Sequence, residues 1–222
     1  MSASWTGPPD QATVGRSQVQ HSLQWIRAFL EGQRGELIRR IAVAPSSWST
    51  TAQIVCDASP WGLGAIFVEN GDIKFWLASP IGPEDEQILE ATVGDSAGQA
   101  AFEALALCVA MRTWLPEWQD SRTVVIVRSD SLAALGALNR INGGTAQINK
   151  VIRECALDLA EGSYIVDLIS HIPAEYNDIP DTLSRLAAPG SHGKSFPKEL
   201  VNVPESRTAP RTRSWWRTLA PP

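Results

Sequence analysis

The chain has 222 residues and a mass of 24.1 kDa, 44% hydrophobic and 19% charged, enough for one domain of ordinary size with flanking segments. No apolar run approaches the ~20 residues of a membrane span, and no basic patch followed by an apolar stretch opens the sequence. Membrane insertion and secretion are therefore excluded as expectations, and an intracellular protein, cytoplasmic or nuclear, is expected. The net charge of −5 is unevenly spread: residues 1–45 carry +2, residues 46–186 carry −11 and residues 187–222 carry +4. Cys56, Cys108 and Cys155 have no CxxC spacing and sit in apolar runs, so buried thiols are expected rather than disulfides or zinc ligands.

In chain order, residues 1–16 contain Gly7, Pro8, Pro9 and Gly15 without periodicity and are expected to be disordered. Residues 17–45 show Leu23, Trp25, Ile26, Phe29, Leu30, Leu37 and Ile41 at mostly helical spacing, broken by Gly32 and Gly35, which predicts two helical pieces. Thr51 to Cys56 reads as a strand ending at Asp57. Leu63 to Val68 and Ile73 to Leu77 read as two more, joined by Asn70-Gly71, a hairpin signal because both residues tolerate positive φ. Gly82 to Gly94 reads as a polar loop. A helix is predicted from Ala97 to Leu115, with Pro116 stopping it. Thr123 to Val127 is a β-branched run ahead of Arg128-Ser129-Asp130, followed by a short helix from Ser131 to Leu138. Ile148, Ile152, Cys155 and Leu159 mark another helix, Ser163 to Ile169 a strand, His171 to Pro180 a loop and Asp181 to Ala188 a last helix. The fold class is α/β, a mixed sheet with helices packed on it, over residues 46–188. Residues 189–222 form a basic, proline-containing tail. In it Arg207, Arg211, Arg213 and Arg217 beside Trp215-Trp216 could pair charge with stacking surface, against a solvated, disordered tail as the plainer reading.

Asp57 and Asp130 each fall at the end of a predicted core strand. Ligand sites in open α/β sheets gather there, but taken singly each acid reads first as a cap or turn residue. Glu103 is different, because it lies between Phe102 and Leu105 on an apolar helix with no Lys or Arg one turn away. Burying its charge costs several kcal/mol unless a cation meets it. A divalent metal would meet that need, and magnesium takes a few carboxylates with water and phosphate oxygens.

These residues carry a resemblance. Asp57-Ala58-Ser59-Pro60-Trp61-Gly62-Leu63-Gly64-Ala65 resembles the first-strand motif D-A-S-x-x-G-x-G-A of retroelement RNase H domains. Phe102 to Leu107 resembles the family's acidic helix, and Ser129-Asp130-Ser131 its next strand-end aspartate. His171 to Arg185 matches H-x₅-N-x₃-D followed by L-S-R. The four motifs stand in the family's order over residues 51–187. The RNase H of DIRS-like retrotransposon reverse transcriptases is closer still, in residues 103–114, 130–139 and 171–186. Residues 18–42 resemble the connector that joins polymerase to RNase H in such polyproteins.

The resemblance implies an RNase H-like fold with a five-stranded sheet and a metal-dependent endonuclease that hydrolyses the RNA strand of RNA–DNA hybrids. It implies catalytic and metal-binding carboxylates Asp57, Glu103, Asp130 and Asp181 around two Mg²⁺ ions, for which Mn²⁺ can substitute. Asp57 would bridge both ions, Asp181 would serve the nucleophile side, and Glu103 with Asp130 the leaving-group side. His171 matches the loop histidine that assists proton transfer or product release. Ser59, Gln99, Ser131 and Asn177 are candidate substrate contacts, Asn177 alternatively orienting its loop. The implied partners are the hybrid and a reverse transcriptase polymerase domain.

Two features depart from cellular RNases H. Residues 139–162 offer only Arg140, Lys150 and Arg153 against three acids where those enzymes carry a basic protrusion, and the acidic middle gives little for phosphate binding. The alternative from another class is a non-catalytic RNase H-like module that binds protein or nucleic acid. A DEDD exonuclease would want Glu in place of Ser59, and integrase-like enzymes lack the ending from His171 to Arg185.

Overall fold

In the computed structural model, the described residues are 51–118, 124–161 and 165–218, with isolated helical positions Gln20, Leu23, Ile26, Arg27 and Leu30. The expected disordered stretch 1–16 lies outside the described residues, as does the connector 17–45 apart from those five positions. Five strands form one sheet: β1 (Thr51–Ala58), β2 (Gly62–Glu69), β3 (Asp72–Pro80), β4 (Val124–Ser129) and β5 (Ile165–His171), in the order β3-β2-β1-β4-β5. β1, β2 and β3 are an antiparallel meander, whereas β4 and β5 join it in parallel. The Asn70-Gly71 turn has φ of 53° and 88°, as its hairpin geometry requires. The helices are α1 (Pro83–Leu89), α2 (Gln99–Thr113), α3 (Leu115–Trp118), α4 (Leu132–Arg140), α5 (Ala146–Glu161) and α6 (Asp178–Ser184). This mixed five-stranded sheet with flanking helices is the RNase H-like architecture that the resemblance implies.

Alternate strand residues feed two cores, as the period of two demands. Ile54, Cys56, Ala65 and Phe67 face α2, α4 and α5, while Val55, Ile66 and Val68 face Leu183, Ile179 and Leu200 on the opposite side. α2 is buried without interruption from Ala101 to Met111, because it is enclosed by the sheet on one side and by α4 and α5 on the other. The helix ends at Thr113, and Pro116 sits inside the following short turn α3, where its missing N–H costs nothing. The three cysteines are buried.

Three expectations are corrected. Residues 82–94 contain α1 rather than only loop: Pro83 opens it, three acids occupy its first turn, and the Asp85 carboxylate accepts the Gly82 N–H at 2.9 Å. The last helix starts three residues earlier than expected, with Pro180 tolerated in its first turn. The tail is not a free cationic surface. Its N–H and C=O groups meet Trp76 of β3 (Ser206 N to Trp76 O, 2.7 Å; Trp76 N to Pro204 O, 3.3 Å), and the Trp76 indole donates to the Val203 carbonyl. Arg211 pairs with buried Asp85 at 2.8 Å, and Trp216 is fully buried. Arg217 and Arg112 together meet Glu154 and Asp158 on α5, with the Trp215 ring 4.0 Å from the Arg112 guanidinium. Two of the tail's arginines and both of its tryptophans are thus packed into the domain, Arg211 against Asp85 and Arg217, together with Arg112, against Glu154 and Asp158.

Candidate metal centre

Backbone register brings the first two acids together. β1 and β4 are parallel with Val55 opposite Arg128, so Asp57 and Asp130, each two residues further on, emerge at the same end of adjacent strands. α2 crosses β1 and delivers Glu103 to this point from the helical face of the sheet. Carboxylate oxygens of Asp57, Glu103 and Asp130 all lie within 4.8 Å of one another.

The glycines of the first-strand motif explain the approach of α6 from the other face. A Cβ at Gly64 would stand 2.2 Å from the Pro180 carbonyl oxygen, and one at Gly62 would stand 2.7 Å from that of Ser184. Only glycine lets α6 lie this close to β2. Ser184 in this helix and Asn177 at its start then reach β1, and Ser59 reaches back. The Ser184 hydroxyl lies 2.8 Å from Asp57 Oδ2, Asn177 Nδ2 donates to Asp57 Oδ1 (3.3 Å) and to the Cys56 carbonyl (3.2 Å), and the Ser59 hydroxyl donates to the Ser184 carbonyl at 2.6 Å.

This assigns the expected substrate contacts differently. Ser59 is fully buried, and its oxygen accepts the N–H groups of Trp61 and Gly62, so it ties the β1–β2 turn to α6 instead of facing a substrate. Asn177 is also buried, and its side chain orients Asp57, a role distinct from the loop-orienting one that the sequence suggested. Gln99 donates to the Ala58 carbonyl (2.6 Å) and to Glu103 Oε1 (2.7 Å), fixing the rotamer of Glu103. Ser131 caps α4 by accepting the Ala134 N–H at 3.3 Å. His171 is exposed at the end of β5, paired in register with Ser129, one residue before Asp130. Ser184 is the residue that sequence reasoning missed: it stands in the L-S-R ending, but nothing in the pattern says that its hydroxyl reaches a carboxylate on the first strand.

Asp181, expected as the fourth ligand, is not part of this three-acid group; Asp57 feels its charge, but its own oxygens are bonded elsewhere. Its Oδ1 accepts from Arg185 Nε at 2.7 Å, and its Oδ2 from the Lys194 ammonium. Burial works against its ionisation, yet Lys194 and Arg185 outweigh that and hold its carboxyl below the usual range. The other acids go the opposite way. Burial pushes Asp57 up to about 7, with the Ser184 hydroxyl bond opposing and the charges of Asp130 and Asp181 adding to the rise. Burial and then the charge of Asp57 push Glu103 well above the ordinary carboxylate value. Glu103 Oε2 is buried with no hydrogen-bond partner among the described residues. The donor set therefore suits a hard divalent cation: three oxygen-bearing acids at one point, one buried oxygen unsatisfied, and only neutral hydrogen-bond donors on Asp57 and Glu103 among the described residues.

No protein-family model matches the chain, and no curated protein does. Among solved structures, RNase H1 of the halophilic archaeon Halobacterium salinarum NRC-1 is 17% identical, with a TM-score of 0.45, over 62% of this chain and 96% of that one. LC11-RNase H1, isolated from compost by a metagenomic approach, is 18% identical, with a TM-score of 0.47, over 63% of this chain and 94% of that one. No helix among the described residues is long and apolar enough to cross a membrane.

Proposed function

We propose that this chain is a divalent-metal-dependent nuclease that cleaves the RNA strand of RNA–DNA hybrids, an RNase H of retroelement type whose partner is a reverse transcriptase polymerase domain. The observation that carries the reading is the meeting of Asp57, Glu103 and Asp130 around a buried, unsatisfied carboxylate oxygen. The motif order from Asp57 to Arg185 supports the substrate class. Asp57, Glu103 and Asp130 would hold Mg²⁺ or Mn²⁺, which when bound lowers the pKa of an attacking water and neutralises charge on the phosphate. Ser184 and Asn177 keep both oxygens of Asp57 aimed, and Gln99 ties down one oxygen of Glu103 while leaving the other for the ion. His171 would exchange protons with solvent near the leaving oxygen; its exposure at the sheet end, paired with Ser129 of the strand that leads to Asp130, supports this role.

The test is cleavage of a labelled RNA–DNA hybrid in Mg²⁺ or Mn²⁺ by the wild-type chain and by Asp57→Asn, with RNA–RNA and DNA–DNA duplexes alongside. Cleavage confined to the RNA strand of the hybrid, abolished by EDTA and reduced by orders of magnitude in the variant, is expected. Equal cleavage by both proteins would remove the nuclease reading.

A further inference from the structure

Asp181 differs from its neighbours in what it touches. Among the described residues Asp57 and Glu103 accept only from neutral groups, whereas each oxygen of Asp181 accepts from a cation, Arg185 from its own helix one turn on and Lys194 from the segment beyond α6. The path of that segment fixes the lysine. Gly190 adopts φ of +55°, a left-handed conformation that favours glycine, and closes a turn over residues 190–192. On one side of Lys194 the His192 ring stacks on Trp61 with centroids 4.8 Å apart; on the other, Phe196 meets Trp76 edge-on at 5.0 Å. Pro197 is buried immediately afterwards. The chain on both sides of Lys194 is thus held by packing, so less of the entropy that weakens ordinary surface ion pairs is lost when this one forms.

Resting on the metal-centre reading, we propose that Lys194 is a positioning residue which, with Arg185, latches the Asp181 carboxylate and competes with divalent ions for it. An ion that recruits Asp181 must displace the ammonium. Asp178, on the same helix and 3.9 Å from the Lys194 nitrogen, is an exposed carboxylate ready to receive it. The ammonium therefore has two acceptors, Asp181 when no ion engages that carboxylate and Asp178 when one does. The consequence is that the three acids that meet take an ion readily, while any ion that also needs Asp181 binds more weakly and with a dependence on salt.

Calorimetric titration of the full chain with Mn²⁺ and with Mg²⁺ tests this in wild type, Lys194→Met, Lys194→Arg and Lys198→Met. Lys198 is an exposed lysine four residues on and serves as control for the change in net charge. Lys194→Met should bind ions roughly two- to fivefold tighter than wild type, the range that an ion pair of this exposure supports. Lys194→Arg should stay close to wild type, Lys198→Met should not reproduce the gain, and the gain should shrink at high salt. Unchanged or weaker affinity in Lys194→Met, or an equal gain in Lys198→Met, overturns the latch while leaving the metal centre standing. No ion binding by any of the four proteins overturns the metal centre and the latch together.

Discussion

Replacing Asp57 by asparagine should stabilise the metal-free protein at neutral and alkaline pH. Folded Asp57 retains its proton to about pH 7, whereas an unfolded chain releases it near 3.8. The folded state therefore binds more protons between those values, so the contribution of Asp57 is fully present below about pH 4 and is lost as pH rises through about 7. At about 1.4 kcal/mol for each tenfold change in acidity, the loss is on the order of 4 kcal/mol. An amide at this position carries no charge and keeps the hydrogen bonds. Its oxygen can accept from Asn177 Nδ2, and its NH₂ can donate to the Ser184 oxygen, leaving the Ser184 hydroxyl to donate to the Asp181 carbonyl, already 2.9 Å away. The assay is urea unfolding in EDTA from about pH 4.5 to about pH 8, wild type beside Asp57→Asn. The two curves should nearly coincide at the acidic end and diverge by a few kcal/mol at the alkaline end, the variant being more stable. Asp85 and Asp158, which burial also pushes up, titrate in both proteins and cancel in the difference. Adding Mg²⁺ to a hundredfold over its dissociation constant should restore about 2.7 kcal/mol to the wild type alone. A wild-type curve flat with pH, or a variant that loses as much as the wild type, would refute the reasoning.

Arg112→Ala should cost about 3–5 kcal/mol in urea unfolding, because Glu154 and Asp158 are buried and would lose a shared cation; a loss below about 1 kcal/mol would show that Arg217 alone suffices. Trp216→Ala should cost about 3–5 kcal/mol by the same measurement, as expected for a fully buried aromatic and not for a residue in a solvated tail. Gly64→Ala should weaken Mn²⁺ binding as well as stability by about 1–3 kcal/mol, since its Cβ would force Pro180, and with it α6, away from β2.

The features legible in the sequence were those with a local cause. The Asn70-Gly71 hairpin, the paired strand-end acids and an acid placed inside an apolar helix each follow from residue type and spacing, and Asp57, Glu103 and Asp130 do meet. What escaped depends on contacts between distant segments. α1 was hidden because its first turn is all charge and its helical signal lies in the Pro83 start and acidic opening, not in apolar periodicity. The tail escaped too: whether read as a solvated segment or as a cationic, aromatic surface, Arg211, Arg217, Trp215 and Trp216 gave no sign that Asp85, Glu154 and Asp158 claim the arginines. Ser59 and Asn177 sit in motifs that name positions without naming directions, and burial decides that they point inward.

The contact between Trp76 and residues 203–206 bears on how this protein behaves in a crowd. β3 is an outermost strand, and an unsatisfied strand edge is a template on which a second molecule can add its own strand. Here the Trp76 N–H and C=O are already taken by Pro204 and Ser206, and the bridge to Glu205 lays a carboxylate-bearing residue along the rim. Proline has no N–H with which to extend the ladder outward. The segment therefore acts as a stopper on one rim of the sheet, so that its loosening would turn a self-contained molecule into one with an adhesive side.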